Sequence, residues 1–320
     1  SGLNAVTTWT SGVNSSDFQD LPDGGVVRAI GGGETGLITQ DGSLRRMIFA
    51  PGAPYVFQID RVAQDKGIFA PLSLVRAGDR LFFCGNDGFY MIMPVPIGKE
   101  RFDRTFFADV DAGQLHLVIG ASDPRATRVY WTYKSLAGSA SLFDKILVYD
   151  YGIERAALIV QSGEYLATLA RPGLTLEGLD AISPSIDALT FSLDDVATSA
   201  LAQLSIVDSS HKLGFFGGPL AGGPALEATL DTAEQTLDRR MRVKGFRPMT
   251  DAPTCYGSIG ARENLQSGVT YSSEQVVNGK GLCPANVSAR LARGRLRIPA
   301  GTAWTFASGV EPMMAQEGVR

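Results

Sequence analysis

The sequence predicts an all-β fold: a β-propeller, incomplete at its amino end, followed by a second antiparallel β module. Three observations predict it. Thirty-seven Gly and sixteen Pro cut the 320 residues into short pieces, whereas helices want longer uninterrupted stretches with a 3.6-residue period. Asx-Gly pairs stand between apolar runs, and both residues accept the positive φ of a tight hairpin turn. Hairpin units also recur at a near-constant spacing, 45 residues from Leu37 to Phe82 and 48 from Phe82 to Tyr130. A β unit repeating every 40–50 residues is the signature of a propeller with one four-stranded blade per repeat.

Taken in order, GLITQDGSLRRMIF (36–49) turns at Asp41-Gly42, and GDRLFFCGNDGFYMIM (78–93) turns at Asn86-Asp87-Gly88. HLVIGASDPRATRVYWTY (116–133) turns at Ser122-Asp123-Pro124, and TRVYWTYKSLAGSASLFDKILVYD (127–150) adds a further strand pair. About three blades are present by residue 165, and a propeller needs at least four. The strand-like run AVTTWTSGVN begins almost at residue 1, as if inside a blade. The ring is therefore expected to be completed by the later half or by residues outside this chain.

Beyond residue 200 the texture changes. LAQLSIVD, HKLGFFGG, ALEATLDTA, RRMRVKGFRPM, TCYGSIGA, GVTYSSEQVV, ARLARGRLRIP and AWTFASGV follow one another without Asx-Gly hairpins. The expected division is 1–170 for propeller blades, 171–204 for an extended linker, and 205–320 for an antiparallel module, sandwich-like or made of further blades.

The linker carries a heptad-like pattern. In LDAISPSIDALTFSLDDVATS (179–199), Leu179, Ile186 and Leu193 take one apolar position and Ile182, Leu189 and Val196 the other. Pro184 and the many Ser, Thr and Asp oppose a coiled-coil helix, because these residues prefer turns and caps to helix interiors. The carboxylates Asp180, Asp187 and Asp194 stand seven apart with no His nearby, unlike a calcium loop, whose ligands alternate around a Gly. The run reads as an extended linker whose aliphatic teeth dock into neighbouring grooves.

Composition excludes several function classes. Net charge is −4 and the pI about 5.3, so nucleic acid or an anionic membrane is not the expected main partner. No apolar run approaches the roughly 20 residues of a membrane span. Cys84, Cys255 and Cys283 are odd in number and lack a CxxC spacing, which opposes a disulfide framework and fits reduced thiols. The two histidines read as structural or surface residues: His116 alternates with Leu115 and Leu117 as if in a strand, and His211 opens one. GGGETG (31–36) lacks the Lys-Ser/Thr of a phosphate loop, so its glycines suit a bulge or turn. Asp103, Asp109 and Asp111 offer carboxylate pairs of the kind glycosidases use, but Asp-x-Asp beside aromatic residues also makes turns. No enzyme, cofactor or metal is expected.

Two strands carry basic rows. Period-two alternation puts Arg240, Arg242 and Lys244 on one face with Met241 and Val243 behind them. Likewise Arg293, Arg295 and Arg297 oppose Ala292, Leu296 and Ile298. Such rows discourage strand-to-strand aggregation at a solvated edge, or make ionic contact with a neighbouring subunit or, transiently, a phosphate backbone.

Several stretches resemble tail-hub or nozzle proteins of tailed bacteriophages, also called packaged-DNA stabilisation proteins of short-tailed phages. They are WTSGVNSSDFQDLPDGG (9–25), 36–49, KGIFAPLSLVRAGDRLFFCGNDGFYMI (66–92), IGKERFDRTFFADVD (97–111), the TLEGLDAISPSIDALTFSLDD run and HKLGFFGGPLAGGPALEATL (211–230). The resemblance spans most of residues 9–310 and implies a β-propeller and a homo-oligomeric ring, six-fold, beneath the portal and adaptor proteins. Such a ring closes the channel until DNA passes through it at ejection. It implies a virion location, assembly in the bacterial host cytoplasm, and no membrane partner. The heptad-spaced aliphatic residues and the two basic rows are the candidate contacts between subunits. A carbohydrate-binding or glycan-degrading propeller at the tail tip is the alternative, with Trp304 its available aromatic platform.

Overall fold

The structure is a computed structural model. It describes residues 7, 10, 13, 18–33, 35–51, 56–92, 94–98, 102–139, 141–171, 178–180, 183, 185–188, 201–216 and 226–316. The chain is all-β with several antiparallel sheets, and it divides into two compact units between Ala221 and Gly222. The expected strand in AVTTWTSGVN lies almost wholly outside the described residues.

The first unit is four sheets met one after another along the chain. Strands β1 (Val27–Gly31), β2 (Gly36–Gln40), β3 (Ser43–Phe49) and β4 (Phe57–Gln64) form the first. The second holds β5 (Val75–Ala77), β6 (Arg80–Cys84), β7 (Phe89–Met91) and β8 (Val95–Pro96). β9 (Gly120–Asp123), β10 (Arg128–Tyr133), β11 (Phe143–Asp150) and β12 (Arg155–Gly163) make the third; β13 (Tyr165–Arg171), β14 (Leu201–Val207) and β15 (Leu213–Phe215) make the fourth. Every neighbour is antiparallel and consecutive in sequence. The expected turns fall where the sequence puts them, with Asp41-Gly42 between β2 and β3 and Asn86-Asp87-Gly88 between β6 and β7.

Strand alternation explains why the middle sheets read as unbroken apolar runs. Side chains on a strand point alternately to its two faces. On β6, Leu81 and Phe83 join Leu37 and Leu44 in a core between the first and second sheets. Phe82 and Cys84 turn the other way, into a core shared with Val129, Trp131 and Tyr133 of β10. On β11, Leu147 and Tyr149 enter that same core, while Ile146 and Val148 meet Leu166 and Leu204 of the fourth sheet. A sheet buried on both faces loses the polar half of its alternation. The sheets are therefore stacked in series, each covering the next.

The first strands of successive sheets lie side by side, β9 against β5 and β13 against β9. Ser122 Oγ donates to the Arg76 carbonyl (2.9 Å) and Thr168 Oγ1 to the Ser122 carbonyl (2.5 Å), each step spanning 46 residues. Trp131, fully buried, seals the second and third sheets by donating Nε1 to the Ser73 carbonyl at 2.9 Å and packing 4.7 Å from Phe89.

Two local expectations are corrected. His116 does not sit in a strand. Residues Ala112–Leu117 form a 3-10 turn, started by Asp111, whose side chain accepts from the Gly113 N–H. Just before it lies a helix absent from the sequence reading, α1 (Asp103–Asp109). It buries Asp103 and Phe106; Phe106 packs edge-on against Phe89 and Tyr133, and that tertiary contact rather than propensity holds so short a helix.

The expected boundary at 171–204 also moves. β14 pairs with β13 over Tyr165↔Val207 to Arg171↔Leu201, so residues 205–215 complete the fourth sheet of the first unit. Residues 172–200 fall between two paired strands of one sheet and do not join two modules. Composition changes there, but a seven-pair ladder closes across the excursion, and pairing at that distance leaves no local signal.

The second unit is one seven-stranded antiparallel sheet, not further blades. Its strands are β16 (Ala228–Asp231), β17 (Gln235–Thr250), β18 (Tyr256–Arg262), β19 (Thr270–Tyr271), β20 (Gln275–Val276), β21 (Cys283–Ile298) and β22 (Ala307–Gln316). The sixteen-residue β21 is central, with β18 on one edge and β16 and β17 on the other. Register shifts in β17 around Val243–Gly245 bend the sheet. At the bend Gly245 has φ +146°, and a Cβ there would sit 2.3 Å from the Cys283 carbonyl. The sheet curls enough that Val310 of β22 packs with Val243, Phe246, Ile259 and Cys283, as well as with Leu296 and Ile298.

Candidate functional site

The basic row of β21 builds a ladder of its own. Inward residues Gly294, Leu296 and Ile298 are buried, which leaves Arg293, Arg295 and Arg297 on the opposite face. Cross-strand neighbours then supply both aromatic and acidic groups. Arg295 makes a bidentate pair with Asp231 (2.6 and 2.7 Å), donates to Tyr271 Oη at 3.0 Å and stacks 3.8 Å from the Tyr271 ring centroid. Arg297 binds Glu227 at 2.9 Å and Glu274 at 2.7 Å, 4.5 Å from the Tyr256 centroid. Arg293 lies 5.2 Å from the Tyr271 centroid, and its buried Nε has no hydrogen-bond partner.

Electrostatics follow from those contacts. The hydrogen bond from Arg295 holds the Asp231 carboxyl below its usual range despite burial, and Arg297 does the same for Glu274. Planar guanidinium forks matched to carboxylates and stacked on rings are the stronger form of ion pair. This row is therefore engaged within its own sheet rather than presented as free charge.

The β17 row differs. Val243 is buried while Arg240, Arg242 and Lys244 are exposed, as alternation requires. Arg240 pairs with Glu263 at 3.1 Å, with both side chains about half exposed, and Arg242 Nε donates to Asn286 Oδ1. Lys244 has no ion-pair partner among the described residues. Here charge remains available to a partner.

Of the heptad-spaced residues, Leu179 is buried and Ile186 begins a 3-10 turn to Ala188. Ile182, Leu189, Leu193 and Val196 lie outside the described residues, as does Asp194. Asp180 and Asp187 are exposed, and among the described residues no group of His, Cys, Asp or Glu is arranged to hold a metal.

The three carboxylates weighed for hydrolysis are each committed to the fold. Asp103 Oδ1 accepts from the Phe89 N–H at 3.1 Å and tucks against Gly88 and Gly98. Asp109 accepts from Lys145 Nζ (2.6 Å) and Tyr133 Oη (3.1 Å), and Asp111 from Lys134 Nζ (2.7 Å). His211, exposed, holds Glu164 at 2.8 Å, and that contact raises its pKa. All three cysteines are buried and free.

One surface escaped the sequence reading. Among the described residues β12 pairs only with β11, yet it exposes Leu158 (45%) and Val160 (76%). The run RAALIVQSG has the composition of a buried strand, so its apolar content gave no hint that it forms an edge. An exposed apolar edge strand is a template for another chain.

No protein-family model matches the chain, and no curated protein matches it.

Proposed function

We propose that the chain is a structural virion protein of a bacteriophage tail, a nozzle or hub subunit that closes the DNA channel below the portal and adaptor and opens it for ejection. The first unit is, in this reading, an arc of a β-propeller whose blades are the four stacked sheets. The observation that carries the reading is that stack: meander sheets in chain order, both faces of the middle ones buried, and first strands joined by a hydrogen-bonded ladder at 46-residue steps. Side chains such as Ser122, Thr168, Asn86 and Trp131 hold one sheet to the next, as suits a scaffold.

A ring needs heterologous contacts that close by rotation. The apolar edge of β12 and the exposed Arg240–Lys244 row supply two surfaces of different chemistry for such contacts. The test is the mass and image of the purified chain. Particles of about six subunits with a central opening are expected; a stable monomer, with or without an adaptor partner, would overturn the ring.

The alternative, a glycan-binding module at the tail tip, draws on Trp304 (38% exposed) and Phe306 (54%). Binding on a glycan array that is lost in Trp304→Ala would favour it over the ring.

A further inference from the structure

We propose that the cleft between the first and second sheets binds a small organic monocarboxylate with an apolar body of about ten non-hydrogen atoms. The cleft encloses about 270 Å³. At roughly 30 Å³ for each water-sized group, it has room for a ligand of that size.

Its walls follow from strand alternation. Leu44 of β3 points into the core between the first two sheets, and Arg46, two residues on, shares that face and lines the cleft. On β5, Val75 and Ala77 point into the core with the third sheet, which turns Arg76 between them towards the first sheet, where it too lines the cleft. Leu37 and Leu81 make the apolar floor, and the Gly32–Gly33 backbone closes one side.

The polar groups are incompletely used. Arg46 reaches Asp60 only at 3.4 Å through one terminal nitrogen, and its buried Nε has no partner. Arg76 spends its Nε on the Gly78 carbonyl at 2.8 Å, leaving its two terminal nitrogens without a hydrogen bond among the described residues. A buried donor left unsatisfied is costly, as Arg46 Nε is here. That donor together with the exposed Arg76 guanidinium at the same cleft, above an apolar floor, selects an anion with an apolar tail. Among the described lining residues, Asp79, exposed at the same cleft, reduces the charge of Arg46 and Arg76 to a single positive one, and Asp60 beside Arg46 limits it further. That balance favours a monoanion over a phosphate.

The test titrates octanoate into the full chain by calorimetry and saturation-transfer NMR, with 1-octanol and inorganic phosphate as comparisons. Saturable octanoate binding with a Kd of about 1 mM or tighter is expected from a ligand of this size. Arg46→Gln and Arg76→Gln should each weaken it about tenfold. Val62→Phe, at a half-buried cleft residue on β4, should abolish it with both guanidiniums intact, so the site stays testable if a charge variant fails to fold. Absence of octanoate binding at about twenty times that concentration, equal affinity for octanol, displacement by phosphate, or undiminished binding in Val62→Phe would each overturn the assignment. Ring assembly is not part of this readout, so its failure leaves the result intact.

Discussion

Thr168 Oγ1 donates to the carbonyl of Ser122, 46 residues earlier, and this bond ties the first strand of the fourth sheet to the first strand of the third. Ser122 repeats the arrangement on Arg76. A link from Asn86 Nδ2 to the Asp41 carbonyl at 2.9 Å joins the second sheet to the first, 45 residues back. Side chains at equivalent repeat positions thus lock each sheet to its predecessor. Thr168→Val and Ser122→Ala should each lower the stability of the first unit by about 0.5–1 kcal/mol in urea denaturation, since both bonds are solvent-accessible. If neither moves the midpoint, the stack is held by its apolar cores alone.

Trp131 tests the junction of the second and third sheets. Trp131→Phe keeps a ring against Phe89 but leaves the Ser73 carbonyl without its indole donor, at an expected cost of about 1–3 kcal/mol. Trp131→Ala adds a cavity and should cost about 3–5 kcal/mol. Thermal denaturation of both variants, with the wider gap between Ala and wild type, is the expected ranking.

Acid should weaken the second unit. Asp231 and Glu274 have folded pKa values depressed by Arg295 and Arg297. Their stabilisation is therefore present above the ordinary carboxylate pKa of about 4 and is lost as pH falls through the depressed values. A stability profile falling between about pH 5 and pH 2 is predicted, and Arg295→Gln should flatten it. An unchanged profile in that variant would separate the ladder from acid sensitivity.

The thiols should be inert. Burial pushes the Cys283 thiol up to about 12 and raises Cys84 and Cys255 as well. Because the thiolate is the reactive form, an aromatic disulfide reagent should label none within minutes at neutral pH and all three after denaturation. Rapid labelling of native protein would contradict the packing around Cys283.

Gly245 marks the bend of β17. A side chain there would need a left-handed φ and a Cβ 2.3 Å from the Cys283 carbonyl, so Gly245→Ala should destabilise the second unit by more than about 1 kcal/mol. Gly268→Ala, whose Cβ meets no atom within 4 Å, is the control expected to be silent.

The sequence by itself determined that the protein is built of short antiparallel strands, and it placed most of the hairpins. Turn position is a local signal: Asp41-Gly42 and Asn86-Asp87-Gly88 stand between apolar runs and do turn there. None of them takes the positive φ expected of a tight hairpin, and their side chains bond to residues elsewhere, Asp41 to Arg28 and Asn86 to the Asp41 carbonyl. It also determined which face of β17 and β21 is basic, because alternation is a property of any extended backbone. Only the tertiary structure decided what those faces do. Arg295 is committed to Asp231, 64 residues away, and Lys244 is not paired among the described residues, although the two rows look alike as text. The same holds for the boundary, where β13 closes on β14 across some thirty residues, and for RAALIVQSG, an edge that reads as an interior. In each case the deciding partner lies far along the chain, and pairing across such distances is set by packing and register, which composition and periodicity do not record.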